Sequence, residues 1–263
     1  MLDDRWPELY ASQSALSGNV AKVKVMRELH HLATRGSKIS VLDIGCIGPH
    51  PLEFWEPLLA DKDSHFQLTG VDKDVENARQ IVAQRGWTDQ VILLQGSGYD
   101  LKDMFTSQSF NVVVATQVLE HIARLRFFMQ QVAATLCPGG EGFFTVDSAH
   151  WRSRFDSRNP VRLAKNILKK GLSRFRYEHH YDLPWLDHEV AESCREAGLE
   201  IIECRYYNLA PLKFIHNHLV PVHRKNAFMQ LWMDLEEFLN EDELVREKAK
   251  HFFLDFYVHF RKP

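Results

Sequence analysis

The chain has 263 residues, 45% hydrophobic and 25% charged, with a formal net charge of −3. That balance fits a soluble globular fold, is short for two full domains, and gives no global pull towards nucleic acid or an anionic membrane. No apolar run approaches a bilayer span, and the opening Met-Leu-Asp-Asp-Arg is no secretory leader. Cys46, Cys137, Cys194 and Cys204 lack metal-ligand spacing, so reduced thiols in a cytoplasmic protein are expected.

Residues 1–38 read as an extension carrying one helix, Asn19 to Ala33, with Val20, Val23, Met26, Leu29 and Leu32 on one apolar stripe. From residue 39 to 150, strands and helices alternate, the pattern of a parallel sheet. Val-Leu-Asp43-Ile-Gly45-Cys-Ile-Gly48-Pro-His closes an apolar strand with a carboxylate and a glycine turn, and a helical pattern follows. Phe66–Asp72 is a second strand ending in an acid. Val91–Gln95 opens into Gly96-Ser97-Gly98, and Phe110 starts a strand leading to Thr116-Gln117 and Leu119-Glu120-His121. A long helix, the turn Leu136-Cys-Pro-Gly-Gly140 and a fifth strand, Gly142–Asp147, complete the series.

Two insertions interrupt the rest. Residues 151–185 are basic: between Arg152 and Arg176 stand nine Arg or Lys residues against one acid, Asp156, with a helix starting at Asn159-Pro160 and stopping at Gly171. A solvated lid helix is the plain reading of such a run. A grip on an anionic substrate and a peripheral membrane contact are sharper ones, and few aromatics are interleaved to suit nucleic acid. Residues 186–205 give a helix stopped at Ala197-Gly198 and a strand. The second insertion, 208–250, holds a helix over 226–240 with apolar Phe228, Leu231, Trp232, Leu235 and Phe238, which predicts core packing. Phe252–Phe260 reads as the final strand.

The ordered motifs at Asp43–Gly45, Gly70-Val-Asp72, Phe110…Leu119-Glu-His121 and Leu136…Pro-Gly-Gly140 resemble those of the class I S-adenosylmethionine-dependent methyltransferases, over residues 38–205. The resemblance is to the type 11-like branch. It implies an α/β fold: a Rossmann-like, doubly wound, seven-stranded sheet, last strand antiparallel, with helical lid insertions, as one methyltransferase domain over 1–263. It implies S-adenosylmethionine as cofactor and S-adenosylhomocysteine as product. Asp43, Gly45, Cys46 and Gly48 would hold the methionine end, Asp72 with Lys73 the ribose, Ser97 and Gly98 the adenine. Thr116 and Gln117 would line the methyl pocket.

Two positions depart from the family pattern: Ile47 and Pro49 stand where glycines are usual, and Ser97 replaces an acid. A nicotinamide or flavin oxidoreductase would need a three-glycine fingerprint that the first turn lacks.

In-line methyl transfer needs mainly positioning, and a base only where the acceptor is a hydroxyl. His179 and His180, after the basic segment, are the candidate bases, relatives placing a histidine there. His121 would support the loop after the fourth strand, and Trp151, Tyr99 and Tyr10 are candidate shields of the sulfonium. His216, His218 and His223 have no Asp, Glu or Cys partner at ligand spacing, so no metal is expected. The expected activity is O-methylation, less so N-methylation, of a small molecule or a glycan sugar, with an acidic acceptor favoured by the basic lid. No nucleic-acid partner is expected. A methyltransferase-fold binding or accessory protein without activity is the alternative.

Overall fold

The computed structural model describes residues 18–34, 38–46, 52–61, 65–150 and 185–263. The elements run α1 (Val20–Ala33), β1 (Ile39–Ile44), α2 (Glu56–Ala60), β2 (Phe66–Asp72), α3 (Glu76–Arg85), β3 (Val91–Gln95), α4 (Leu101–Met104), β4 (Phe110–Thr116), α5 (Leu125–Thr135) and β5 (Leu136–Asp147). After residue 184 come α6 (Asp187–Glu196), β6 (Glu200–Leu209), α7 (Ala210–His218), α8 (Lys225–Glu241), α9 (Glu243–Ala249) and β7 (Phe253–Arg261).

The seven strands form one sheet in the order β3-β2-β1-β4-β5-β7-β6. β1 to β5 pair in parallel, while β7 inserts between β5 and β6 and runs antiparallel to both. The fold is therefore the Rossmann-like α/β architecture expected, with its last strand reversed. One face of the sheet is packed by α1, α2, α3 and α8 through Met26, Leu58, Ala78 and Trp232. The other is packed by α4, α5 and α6 through Leu101, Phe128 and Val190. The middles of β1 (Val41-Leu42) and β4 (Val112–Ala115) are wholly apolar because both their faces are covered.

Local chemistry explains most boundaries. Asn19 caps α1 by accepting from Lys22 N at 3.1 Å, and Asn208 Oδ1 takes Val20 N at 2.7 Å, so two otherwise unpaired helix N–H groups are satisfied. α3 stops at Gly86, whose φ of +71° suits a left-handed cap. The Leu136–Gly140 turn differs from expectation. Leu136 already pairs with Phe110, the register then slips, and Gly139 (φ +75°) donates to Lys262 O at 2.8 Å. The turn is thus a bulge within a longer β5.

The 226–240 helix is present as α8, but its expected apolar face is only half right. Met229, Trp232 and Met233 are buried, whereas Leu231, Leu235 and Phe238 are exposed. The buried side also carries Glu236 and Asn240, which face β6. Asn240 accepts from Tyr206 N (2.9 Å) and donates to Tyr206 O (2.7 Å), and Glu236 accepts from Asn208 N (3.1 Å) and Leu209 N (2.5 Å). β6 is the sheet's edge, and α8 satisfies that edge with side chains instead of another strand. Hydrogen bonding, more than the apolar stripe, sets the rotation of this helix.

Candidate active site

Asp43, Asp72, Gln95 and Thr116 lie at the carboxyl ends of four neighbouring parallel strands. The chain reverses its winding between β1 and β4, and in open α/β sheets ligands bind at that crevice. Backbone hydrogen bonds continue past the strand ends: Gly45 N to Val71 O (2.9 Å), Gly96 N to Asp72 O (2.8 Å) and Gln117 N to Thr145 O (3.0 Å). The four loops are thereby held side by side.

Gly45 has φ +75°, and a Cβ there would collide with Val118 Cγ2. Only glycine fits both the left-handed turn and the approach of the loop after β4. Cys46 is buried over Gly70 of β2, where an added Cβ would lie 2.7 Å from the cysteine sulfur. Burial pushes the Cys46 thiol far up, so it acts as a packing group here, not a nucleophile. Gly48 lies outside the described residues, as do Ile47 and Pro49.

Asp43 is 5% exposed, and Trp55 Nε1 donates to its Oδ2 at 2.5 Å. Burial pushes this carboxyl up to about 7, and the indole bond and Lys22 only partly offset it. Such a carboxylate is poised for a cationic ligand group. Asp72 Oδ1 accepts from Lys73 N at 2.7 Å, and Lys73 itself is exposed. Ser97 Oγ accepts from Tyr99 N at 3.2 Å, which leaves its hydroxyl proton for another acceptor. A Cβ at Gly98 would lie 2.7 Å from the Phe128 ring, so this glycine is required by packing on α5. Gln117 has φ +59°, and its buried Nε2 has no partner among the described residues. An amide left without a partner at the mouth of β4 makes Gln117 a candidate donor to a ligand.

Some expectations moved. Tyr99 is no shield for a sulfonium: its hydroxyl accepts from Arg124 N at 3.1 Å, and the Arg124 guanidinium lies 5.2 Å from its ring centroid. His121 sits exposed in a 3-10 turn, Leu119–His121. His216 is fully buried, with rings of Phe228 and Trp232 about it, and burial lowers its pKa. Among the described residues no three His, Cys, Asp or Glu side chains group as metal ligands. His179, His180, Trp151, Tyr10 and the basic segment lie outside the described residues.

Sequence reasoning missed several polar groups. Lys22, on α1, is part-buried, and its side-chain ammonium makes no hydrogen bond or ion pair among the described residues. Burial lowers its pKa, against the pull of Asp43, Asp255 and Glu120. The one signal in the sequence was a lysine inside an otherwise apolar helical turn. His150 Nε2 lies 2.8 Å from Asp187 Oδ1, and Tyr206 donates to the other oxygen of Asp187. These bonds hold Asp187 well below the usual carboxylate range despite its burial, the largest opposing effect. His150 also packs against His251 and Tyr206, on the β6–β7 side of the sheet and away from β1. It anchors the start of α6 to the end of β5.

Residues 19–204 match the family model described as a methyltransferase domain. The chain belongs to this methyltransferase family. Among solved structures it is similar to a geranyl diphosphate methyltransferase in complex with S-adenosylmethionine (12% identity, TM-score 0.59, 99% of this chain and 92% of that chain). It is also similar to an S-adenosylmethionine-dependent methyltransferase from Mesorhizobium loti (13%, 0.54, 92% and 98%). A third is the [4+2]-cyclase SpnF (16%, 0.54, 95% and 82%). At these identities the likeness is one of fold. No curated protein matches the chain.

The residues present fit the cofactor. Asp43 would offer a buried carboxylate to an ammonium, Asp72 a carboxylate at the strand tip to ribose hydroxyls, Gly45 a turn free of a side chain, and Gln117 an amide donor.

Proposed function

We propose that this protein transfers the methyl group of S-adenosylmethionine to a hydroxyl of a small molecule or glycan sugar. The observation that carries the reading is the pair Asp43 and Asp72 on adjacent strand tips, flanking the Gly45 turn. The chemistry that the cofactor supplies when bound is a methyl group on a sulfonium. The chain's own residues bind and orient. Asp43 balances a positive charge in a site from which Trp55 helps exclude water, and Asp72 fixes the ribose. The turn at Gly45 lets the backbone approach the ligand closely. His180 or His179 would take the acceptor's proton, and the basic segment 151–185 would cover the acceptor and meet any acidic group on it.

Calorimetric titration with S-adenosylmethionine and S-adenosylhomocysteine tests this. Micromolar binding, about −8 kcal/mol, weakened at least about tenfold by Asp72→Ala, is the expected result. A folded wild type that binds neither would overturn it and favour the non-catalytic reading, to which Ser97, Ile47 and Pro49 lend support.

A further inference from the structure

α8 is apolar on two opposite sides. Met229, Trp232 and Met233 bury one side in the core, where Glu236 and Asn240 also hold β6. On the far side Leu231 is 68% exposed, Phe238 66% and Leu235 41%. Phe228, half-buried against His216 and Trp232, precedes them. From Phe228 the four residues fall at spacings of three, four and three, the seam of a coiled coil. Single exposed leucines are ordinary, but an apolar row opposite the buried side of one helix is a second packing surface.

The charges on α8 run against its own dipole. Arg224 and Lys225 stand at its N-terminus, which already carries partial positive charge, and Glu241 and Asp242 stand at the negative C-terminus. Arg224, Lys225 and Glu241 are in no ion pair among the described residues, and Asp242 accepts only from Val245 N, at 2.9 Å. The face is also symmetric in sequence. Counting outward from Met233, Leu231 and Leu235 stand two places away, Phe228 and Phe238 five, Lys225 and Glu241 eight, and Arg224 and Asp242 nine. Apolar residues mirror apolar ones, and cations mirror acids.

We infer that two copies of this chain pair through α8, antiparallel, about a two-fold axis level with Met233. Such an axis sets each residue against its mirror position in the other copy. Leu231 meets the partner's Leu235, and Phe238 meets the partner's Phe228. The cationic end of each helix lies on the acidic end of the other, which offsets both dipoles. A parallel pairing would set acid on acid, and an anionic lipid surface would meet Asp234, Glu241 and Asp242. A second copy suits both ends at once. At 17 residues α8 is about 25 Å long, so a seam one helix wide stays below the roughly 800 Å² per partner of a standard interface, and the association is micromolar.

Sedimentation equilibrium of the full chain, from about 1 to about 200 μM, tests the pairing. A monomer–dimer equilibrium is expected, weakened about tenfold or more by Leu235→Glu, with the thermal midpoint unchanged. Lys225→Glu and Glu241→Lys each set like charges together at both ends of the seam and should weaken it about tenfold. Each also places the charge that the helix dipole favours, so neither should unfold the chain. An equimolar mixture of these two variants should dimerise again, because their mixed pair has opposite charges at both ends. A wild type that is monomeric throughout, a dimer indifferent to Leu235→Glu, or a mixture no more associated than its components would overturn the inference. A monomer that binds phosphatidylcholine vesicles, and loses that binding in Leu235→Glu, would give the face to a lipid surface instead.

Discussion

The two halves of the sheet are built on different principles. From β1 to β4, each functional position is a strand tip followed at once by its own turn, so Asp43 and Gly45, or Asp72 and Lys73, are neighbours in the chain. From β5 to β7 the polar groups meet only through tertiary structure. Val20 and Asn208 are 188 residues apart and Asn208 and Asp255 47 apart, yet the three are joined by consecutive hydrogen bonds. The first half is a reusable ligand-binding scaffold. The second is assembled only by contacts between segments distant in the chain.

The sharpest way to break this comparison is at Asn208. Its amide is wholly buried and serves Val20, Asn19 and Asp255. Asn208→Ala strands two carbonyl or carboxyl acceptors and one N–H, and should cost about 3 kcal/mol in urea unfolding. Cofactor affinity, set in the other half, should stay within about threefold of wild type by calorimetry. A loss of both would show that the halves are one unit.

A pH series gives the next effect. Folding raises Asp43 to about 7, Asp255 to about 7 and Glu236 to about 8, in each case chiefly by burial. The folded chain therefore keeps protons that the unfolded chain releases above about pH 4. Stability from these groups is full below that point and lost as pH rises through 7 to 8. Asp187 acts oppositely: its lowered pKa gives stability above about pH 4 that is lost in stronger acid. Thermal stability should thus be highest near pH 4 to 5 and fall steadily towards pH 8. Asp43→Asn should flatten that fall by removing the share of the cofactor half, and an unchanged slope would assign the effect wholly to Asp255 and Glu236.

The smallest effect belongs to the surface. Arg126 reaches Glu196 at 2.9 Å and Glu192 at 3.7 Å, joining α5 to α6, but all three side chains are well exposed. Arg126→Ala should change unfolding by less than about 0.5 kcal/mol and leave cofactor affinity alone.

These differences explain what could be read from the sequence. The strands up to β5 and α1 follow from local alternation, caps and glycine turns, and Asp43, Gly45, Asp72, Ser97, Thr116 and Gln117, candidates by family resemblance, lie at or just past the ends of β1 to β4. The rotation of α8 was not legible, because Glu236 and Asn240 look like surface residues until the edge of β6 needs partners. Nor was the setting of Asp147. It ends an apolar strand as Asp43 and Asp72 do, but it stands opposite Asp255, brought alongside by an antiparallel strand over a hundred residues later. Tyr99 misled for a simpler reason: an aromatic near a ligand loop found a guanidinium of its own.

The root of the segment between β5 and α6 has a further consequence. Ser148 and Trp185 bridge in parallel, Ala149 N donates to Trp185 O at 3.0 Å, and the Trp185 indole is tied to Leu119 O at 2.7 Å. With both ends clasped at one point, the sheet is indifferent to how much chain is threaded between them. Doubling such a loop costs only about 0.6 kcal/mol in closure entropy. The clasp is in effect a socket: a segment of different length or charge can be exchanged there while the strands behind it keep their pairing.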